Sequence, residues 1–161
     1  MRFFIAFVLM FLTSLDAFGA IIELSPDQTR FASMRADKVN ARSGPNRRYP
    51  IEWIYQQQHH PVEIIAEYEH WRKIRDFEGT TSWVKKSLLT NHRYALITEQ
   101  GLVNIHAKDN LNSEVIARAE FGVVGKIKSC SLSFCLLEFP NNIEGWISKK
   151  NIFGVKQDEE I

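Results

Sequence analysis

Hydrophobic and polar residues alternate over short stretches along most of this 161-residue chain. The clearest example is residues 62–69, whose apolar positions with period two are Val62, Ile64, Ala66 and Tyr68. Glutamates occupy most of the intervening positions, and Ile65 is the exception. This alternation is typical of a strand with one buried face and one solvent-exposed face. We therefore predict a strand here, with the glutamates on the face opposite to Ile64.

Similar short stretches recur from residue 31 onward, separated by residues that favour turns. The most pronounced turn lies at residues 43–46, where Gly44 tolerates unusual backbone angles and Pro45 fixes its own. Pro50 argues against a central strand immediately afterwards, so we interpret residues 47–55 as an excursion. Many strands of four to eight residues between turns indicate a small all-β barrel. No stretch beyond the N-terminus predicts a long helix.

The strand pattern occurs twice. Val39 and Asn40 recur as Val103 and Asn104, and three further landmarks recur 63 positions later: Ile64, Trp71 and Trp83, as Ile127, Phe134 and Trp146. This repetition predicts two units, residues 31–90 and a degenerate copy at residues 94–155. A unit of about 60 residues is only marginally stable alone, so we expect the two units to pack together. The charged tail, residues 156–161, is expected to fray.

The N-terminus resembles a secretory signal peptide, predicted here for residues 1–19. Arg2 precedes the apolar residues 3–12, and small residues precede a cleavage point near Gly19 and Ala20. The alternative is an uncleaved membrane anchor, but polar residues begin at Thr13 and about 20 apolar residues are needed to span a bilayer. We expect export to the periplasm and no membrane-spanning segment in the mature chain.

The formal net charge of +1 offers no bulk attraction for nucleic acid or acidic membranes. Enzymatic motifs and metal-ligand spacings are also absent from the sequence. We therefore expect a protein that is not an enzyme, has no metal or other cofactor, and does not bind nucleic acid.

Aromatic and basic residues cluster around the excursion of the first unit. Tyr49, Trp53 and Tyr55 either line a surface groove or pack into the core, because small barrels also bury aromatic residues. Arg42 and Arg48 are suited to binding ligand carboxylates, since a planar guanidinium holds them with two hydrogen bonds. The alternative is a solvated basic face, which Arg42, Arg47, Arg48, Lys85 and Lys86 would form together.

The two cysteines, Cys130 and Cys135, flank four residues of a predicted hairpin in the second unit. A bridge across the hairpin is geometrically possible. In an exported chain an even cysteine count favours a disulfide over two buried free thiols.

The order of three motifs resembles the bacterial SH3-like (SH3b) family, in the tandem exported form of Gram-negative bacteria: Val39-Asn40-x-Arg42-Ser43-Gly44-Pro45, Trp71-x-x-Ile74 and Trp83-Val84. Ser82 departs from the pattern, because the family usually has glycine before this tryptophan, as Gly145 does in the second unit. The resemblance implies two small SH3-like β-barrels. Related domains often accompany cell-wall hydrolases and recognise wall peptides, and no hydrolase domain is recognisable in this sequence.

Three functions are compatible with this pattern. The first is a non-enzymatic binding module that recognises a peptide or a peptidoglycan stem through the first unit. The second is an envelope protein–protein interaction or scaffold protein without affinity for the cell wall, which a large exposed apolar patch would favour. The third, a wall-cleaving enzyme, has no residues in the sequence to support it.

Overall fold

A computed structural model describes residues 19–161. The predicted signal peptide therefore lies almost entirely outside the described residues. Within them, three short 3₁₀ helices, Lys86–Leu88, Pro140–Asn142 and Lys149–Asn151, are the only helices. The strands, numbered β1 to β15, are Ile22–Glu23, Arg30–Met34, Val39–Arg42, Ile51–Tyr55, Pro61–Tyr68, Trp71–Arg75, Thr81–Lys85, Leu89–Thr90, Tyr94–Ile97, Leu102–His106, Val115–Glu120, Val124–Cys130, Phe134–Phe139, Ile143–Ser148 and Ile152–Phe153. The predicted all-β class is confirmed, and no helix in residues 19–161 has the length and apolarity needed to cross a membrane.

The strands form two antiparallel sheets. The first has the order β4-β3-β7-β6-β5-β2-β8, with β1 added beside β5. The second has the order β11-β10-β14-β13-β12-β9-β15. Each strand of the second path occupies the place that a strand of the first path has, so the two sheets share one topology.

Strand register repeats between the sheets as well. Arg42 of β3 pairs with Trp83 of β7, and His106 of β10 pairs with Trp146 of β14 in the same way. Both long hairpins also contain a register shift at the same place. It lies between Ile64 and Ala66 in β5 and between Ile127 and Ser129 in β12. Such a shift leaves one extra residue in the strand, which changes the face that the following side chains occupy.

The predicted alternation of residues 62–69 is wrong after this shift. Residues directly opposite each other in a ladder share a face of the sheet. Ile64 pairs with Ile74, whereas Glu67 pairs with Arg72, and Arg72 alternates onto the same face as Ile74. Glu67 therefore lies on the face of Ile64 rather than opposite to it, because Ile65 is the extra residue.

The sequence predicted that each sheet closes into a barrel through a complete ring of hydrogen bonds. This ring is not formed among the described residues. In each sheet path the first and last strands have no ladder with each other. The last strands, β8 and β15, contain two residues each and use their pairing capacity on β2 and β9. The outer edges of β4 and β11 are therefore unpaired within residues 19–161.

Each sheet wraps its own apolar core. In the first, buried aliphatic residues from β2, β3, β5, β6 and β7 meet, including Met34, Val62 and Ile74. In the second, the equivalent strands contribute Ile97, Leu137 and Ile147. Residues 19–161, which contain almost no helix, are thus held together by long-range contacts within two separate cores.

The two sheets pack against each other, as the short connection between them predicted. Phe31 and Phe153 meet edge to face with ring centroids 5.1 Å apart. His59 stacks on Tyr94 at 4.1 Å, with the two rings nearly parallel. Stacked and edge-on aromatic pairs contribute beyond their buried area. The side-chain amide of Gln57 also donates to the Gly122 carbonyl across the junction, at 3.0 Å.

The charged tail is docked, which corrects the expectation that it frays. Lys149 is 1% exposed, and its ammonium donates to the carbonyls of Gln157 and Glu159 at 3.2 and 2.6 Å. Arg93 binds the Glu159 carboxylate with two hydrogen bonds, at 2.7 and 3.0 Å. Ile161 pairs in both directions with the backbone of Cys130. The tail remains in place because it neutralises and covers buried cations.

Candidate binding site

The turn after β3 is held by its own backbone and by one close contact. Ser43 N donates to Pro50 O, and Asn46 N donates to Gly44 O. Gly44 is buried against the ring of Tyr49, where an added Cβ would lie 2.6 Å from the ring carbons. Only glycine permits this approach, because real Cβ contacts are much longer. The glycine therefore positions Tyr49, whose side chain remains 46% exposed.

Arg42 anchors this turn. Its guanidinium donates to the backbone carbonyl of Tyr49 at 2.7 Å, and the side chain is partly buried. Arg42 was predicted to bind ligand carboxylates, and what the structure shows for its guanidinium is the bond that holds the turn. A guanidinium has five donors, so the contact with Tyr49 leaves further donors for a ligand.

Trp53 lies on β4, the end strand of the first sheet. It pairs with Ala41, which is too small to cover an indole, and 56% of Trp53 is exposed. Its strand neighbours Ile51 and Ile54 are also exposed large apolar residues. An edge strand with exposed apolar side chains and unpaired backbone groups is a liability in solution unless a partner covers it. Strand β4 therefore presents three exposed large apolar side chains along an edge of the described part of the first sheet.

Tyr55, predicted together with Tyr49 and Trp53, belongs to the core. It is 6% exposed, and its hydroxyl donates to the buried Asp76 carboxylate at 3.2 Å. Burial, reinforced by the neighbouring Asp76 charge, raises the pKa of Tyr55. Asp76 also accepts from the backbone N–H groups of Glu78 and Thr80, which fixes the turn between β6 and β7. Tyr55 is thus unable to offer a ring face to a ligand.

His60 lies beside Tyr55 at the edge of a shallow hollow of about 580 Å³ along β4. Its ring is 5.2 Å from that of Tyr55, and Nδ1 is 3.2 Å from the Gln57 side-chain oxygen. Burial lowers the pKa of His60, and the nearby Asp76 charge opposes that shift only in part. His60 is therefore a neutral residue near pH 7, and Nε2 has no hydrogen-bond partner among the described residues.

The five predicted ligand-binding residues do not all converge. Trp53 and Tyr55 line the hollow together, whereas Tyr49, Arg42 and Arg48 belong to the adjoining turn. Arg48 is exposed, and its side chain makes no ion pair within the described residues. We use the name β4 surface for the exposed residues of this edge strand and its adjoining turn, namely Tyr49, Ile51, Trp53 and Ile54 with Arg42 and Arg48 beside them. The ladder register places Ile51 and Ile54 on one face of the strand and Trp53 on the other.

Lys85 and Lys86 were expected to form one basic face with Arg42, Arg47 and Arg48. They line a different cleft, together with basic residues that sequence reasoning did not select, among them Arg30, Arg35 and Arg72. The local sequence of these three residues gave no signal of this cleft, because they come from separate strands and turns that only the folded sheet brings together.

The predicted disulfide is confirmed. Cys130 and Cys135 are directly paired at the end of the β12–β13 hairpin, with Cα atoms 4.1 Å apart, and their sulfurs are bonded. Both residues are buried in the core of the second sheet. The bridge closes the hairpin at the point where the docked tail ends on Cys130.

Comparison with known proteins finds a family match within the first unit. Residues 35–91 match the family model of the bacterial SH3 domain. The match extends over β3 to β8 and includes the Gly44 turn and the β4 surface. This part of the chain is therefore similar to a bacterial SH3 domain, and the second sheet lies outside the matched residues. No curated protein matches the chain.

Solved structures similar to the chain include NlpC2 and NlpC1 from Trichomonas vaginalis and an NlpC/P60 family protein from Bacillus cereus. Each is 12% identical, with TM-scores of 0.37, 0.36 and 0.35. The matches cover 80%, 81% and 76% of this chain and 49%, 48% and 55% of those chains. The chain thus spans about half the length of these proteins, and likenesses this distant carry no argument about its activity.

Proposed function

We propose that this protein is a non-enzymatic, exported binding module that recognises a peptide or a peptidoglycan stem peptide through the β4 surface. The observation that carries the proposal is the exposure of Trp53 and Tyr49 on an edge strand and its adjoining turn. Both rings are rigid and half exposed, which suits stacking on a ligand at a small cost in conformational entropy. The unpaired edge of β4 adds backbone donors and acceptors for an extended peptide.

Charge supports a ligand that carries carboxylates. Arg42 is oriented by its bond to the Tyr49 carbonyl, and Arg48 is exposed next to it. Glu52 is the only acidic residue between positions 38 and 62. A carboxylate of the ligand would therefore meet two guanidinium groups, and bonds of this kind are stronger than neutral hydrogen bonds.

The test is retention of the full-length protein on purified cell-wall sacculi. We expect Trp53→Ala to weaken retention by about tenfold or more, because exposed aromatic anchors are typical binding hot spots. Leu111→Ala is the matched control, since Leu111 is 70% exposed on the second unit. Equal recovery of wild type and Trp53→Ala would show that the protein does not bind sacculi through the β4 surface.

Absence of catalysis is part of the proposal and is tested separately. Sacculi incubated with the protein should release no soluble muropeptides above a buffer control. Release that persists after repurification would show that the protein is an enzyme.

The proposal also includes periplasmic localisation after cleavage near Gly19. Cell fractionation followed by N-terminal sequencing should find a chain that begins at or near Ala20. A cytosolic chain that retains Met1 would contradict export.

The second candidate is an envelope scaffold that binds another protein and has no wall affinity. The observation that favours it is a second exposed edge strand, β11, where Val115 and Ile116 are 42% and 46% exposed. Edge strands on both sheets suit strand addition by a protein partner. Val115→Lys would then abolish cross-linking to that partner, while Trp53→Ala would leave sacculus retention at its low basal value.

A further inference from the structure

A basic cleft opens at the end of the first sheet away from β4. Its volume is about 590 Å³, and five of its lining residues carry permanent positive charge: Arg30, Arg35, Arg72, Lys85 and Lys86. No aspartate or glutamate lines it. The walls also contain the apolar side chains of Ile64 and Leu89, so the cleft continues the inner face of the sheet into solvent.

Strand register places these charges on the inner face. Arg30 pairs with Ile64, and Arg72 lies opposite Val84, so both basic residues share a face with core residues. Arg72 is 6% exposed, and its guanidinium donates to the carbonyls of Glu69 and Trp71 at 3.0 and 2.8 Å. These bonds hold the charge at the base of the cleft.

The positive charge is only partly compensated. Glu67 bonds to both Arg30 and Arg72, and these contacts, led by the bond from Arg30, keep the pKa of Glu67 below its ordinary value. Arg35, Lys85 and Lys86 make no ion pair within residues 19–161. Three cations thus face the cleft without an acidic partner in the part of the chain that is described.

The equivalent place in the second sheet can be identified from backbone bonds. Lys86 N donates to His70 O at 2.8 Å, and Lys149 N donates to Ser133 O at 2.9 Å. The Arg30–Ile64 pairing has its counterpart in the bond from Ile127 N to the Arg93 carbonyl. Lys149 and Arg93 therefore stand where Lys86 and Arg30 stand in the first sheet.

An acidic peptide fills that place in the second sheet, namely the tail of the chain itself. Arg93 holds the Glu159 carboxylate through two bonds, and Lys149 holds two tail carbonyls. The tail that does this has the sequence Lys-Gln-Asp-Glu-Glu-Ile. The same pair of cations in the first sheet has no such tail, because after β8 the chain continues into the second sheet.

The remaining differences make the first cleft more attractive to anions. Arg35, Arg72 and Lys85 are replaced by Thr98, Cys135 and Ser148 in the second sheet. The Cys130–Cys135 bridge stands in place of the Glu67–Arg72 pair. The second sheet keeps two of the five cations, and the tail satisfies both. The first keeps all five.

We propose that the basic cleft of the first sheet binds a short, extended acidic peptide segment of a partner, in the way that the second sheet binds residues 156–161. Lys86 receives the segment as Lys149 receives the tail, and Arg30 contributes the guanidinium donors that its bond to Glu67 leaves free. Arg35 and Lys85 add charge that favours more than one acidic side chain. This site shares no residue with the β4 surface.

The test is a titration of the isotope-labelled full-length protein, followed by NMR, with an acetylated peptide of sequence Lys-Gln-Asp-Glu-Glu-Ile. We expect saturable shifts of backbone amides between residues 84 and 91, weakened by higher salt. Lys86→Gln should reduce affinity about tenfold, as loss of a charge-assisted bond does. Arg35→Gln is a second variant in the same cleft.

Three controls make the test decisive. The peptide with its three acidic residues changed to amides should not bind, and Lys126→Gln, an exposed lysine on the second sheet, should leave affinity unchanged. If inorganic phosphate binds as tightly as the peptide, the cleft is a general anion site and the peptide proposal is overturned. Shifts confined to the second sheet, equal effects of Lys86→Gln and Lys126→Gln, or no shifts at all would overturn the proposal.

Discussion

Replacing Lys149 by methionine removes a buried charge that holds the C-terminal tail. The side chain is 1% exposed and its ammonium donates to the carbonyls of Gln157 and Glu159. Methionine has a similar shape, so the loss is mainly of hydrogen bonds rather than of packing. Hydrogen bonds to charged groups contribute about 1.5–3 kcal/mol each, and one of the two bonds is long. The freed carbonyls can return to water when the tail undocks, so we expect a loss of about 2–4 kcal/mol.

The assay is urea unfolding monitored by tryptophan fluorescence, with amide hydrogen exchange at Cys130 and Ile161 as a local readout. A loss of this size corresponds to a fall of about 4–16 °C in Tm for a chain of this length. Lys86→Met is the matched control, because Lys86 is the equivalent residue of the first sheet and is exposed. It should change stability by about 0.5 kcal/mol or less, as surface substitutions usually do.

A double-mutant cycle separates the tail contact from other effects. In a chain that ends at Lys156, Lys149→Met should have little effect, because the carbonyl partners are already gone. Equal losses from Lys149→Met and Lys86→Met, or a full effect of Lys149→Met in the shortened chain, would refute the reasoning.

Three further predictions concern the turn, the disulfide and the pH dependence. Gly44→Ala should displace the Tyr49 ring and weaken ligand binding, because its Cβ would lie 2.6 Å from the ring. In a Tyr49→Ala background the same change should have little effect on binding. An equal effect in both backgrounds would exclude the contact as the cause. Reduction of the Cys130–Cys135 bridge should lower the unfolding free energy by about 2 kcal/mol on the loop-entropy model. Urea unfolding with and without dithiothreitol measures this difference. Unchanged stability would contradict a stabilising role of the disulfide. The pKa of Glu67 lies below its ordinary value of 4.5, chiefly through its bond from Arg30, so the Glu67 carboxylate contributes stability above pH 4.5 that is lost as the pH falls through the lowered pKa. Glu67→Gln should therefore flatten unfolding free energy against pH below about pH 4.5, and an unchanged acid limb would count against the ion pairs.

The all-β class could be predicted because it depends on local alternation, and landmarks that recur at a fixed distance predicted a second unit. The position of Glu67 could not, because one extra residue at Ile65 moves the following side chains to the other face. The tail looked unstructured because its residues are charged. Its docking depends on Lys149, which is buried by the tail itself, and on Arg93, which lies 66 residues before Glu159.

The candidate binding site, like the fold, could be predicted only in part from the sequence. The sequence left open whether Trp53 and Tyr49 line a groove or pack into the core. In the structure both rings are about half exposed, and Trp53 lies on strand β4. Tyr55 has the same local sequence character, yet its hydroxyl is bound by Asp76, 21 residues away. Whether a residue is buried depends on tertiary contacts with distant residues. The local alternation of polar and apolar residues does not reveal these contacts.

The most direct test of the binding proposal is the indole N–H resonance of Trp53 in a titration of the full-length protein with soluble wall stem peptides. We predict a saturable shift of this resonance and of the β4 amides, with the buried Trp83 indole unchanged. Stem peptides that leave Trp53 unmoved while the protein still binds sacculi would contradict recognition through the β4 surface.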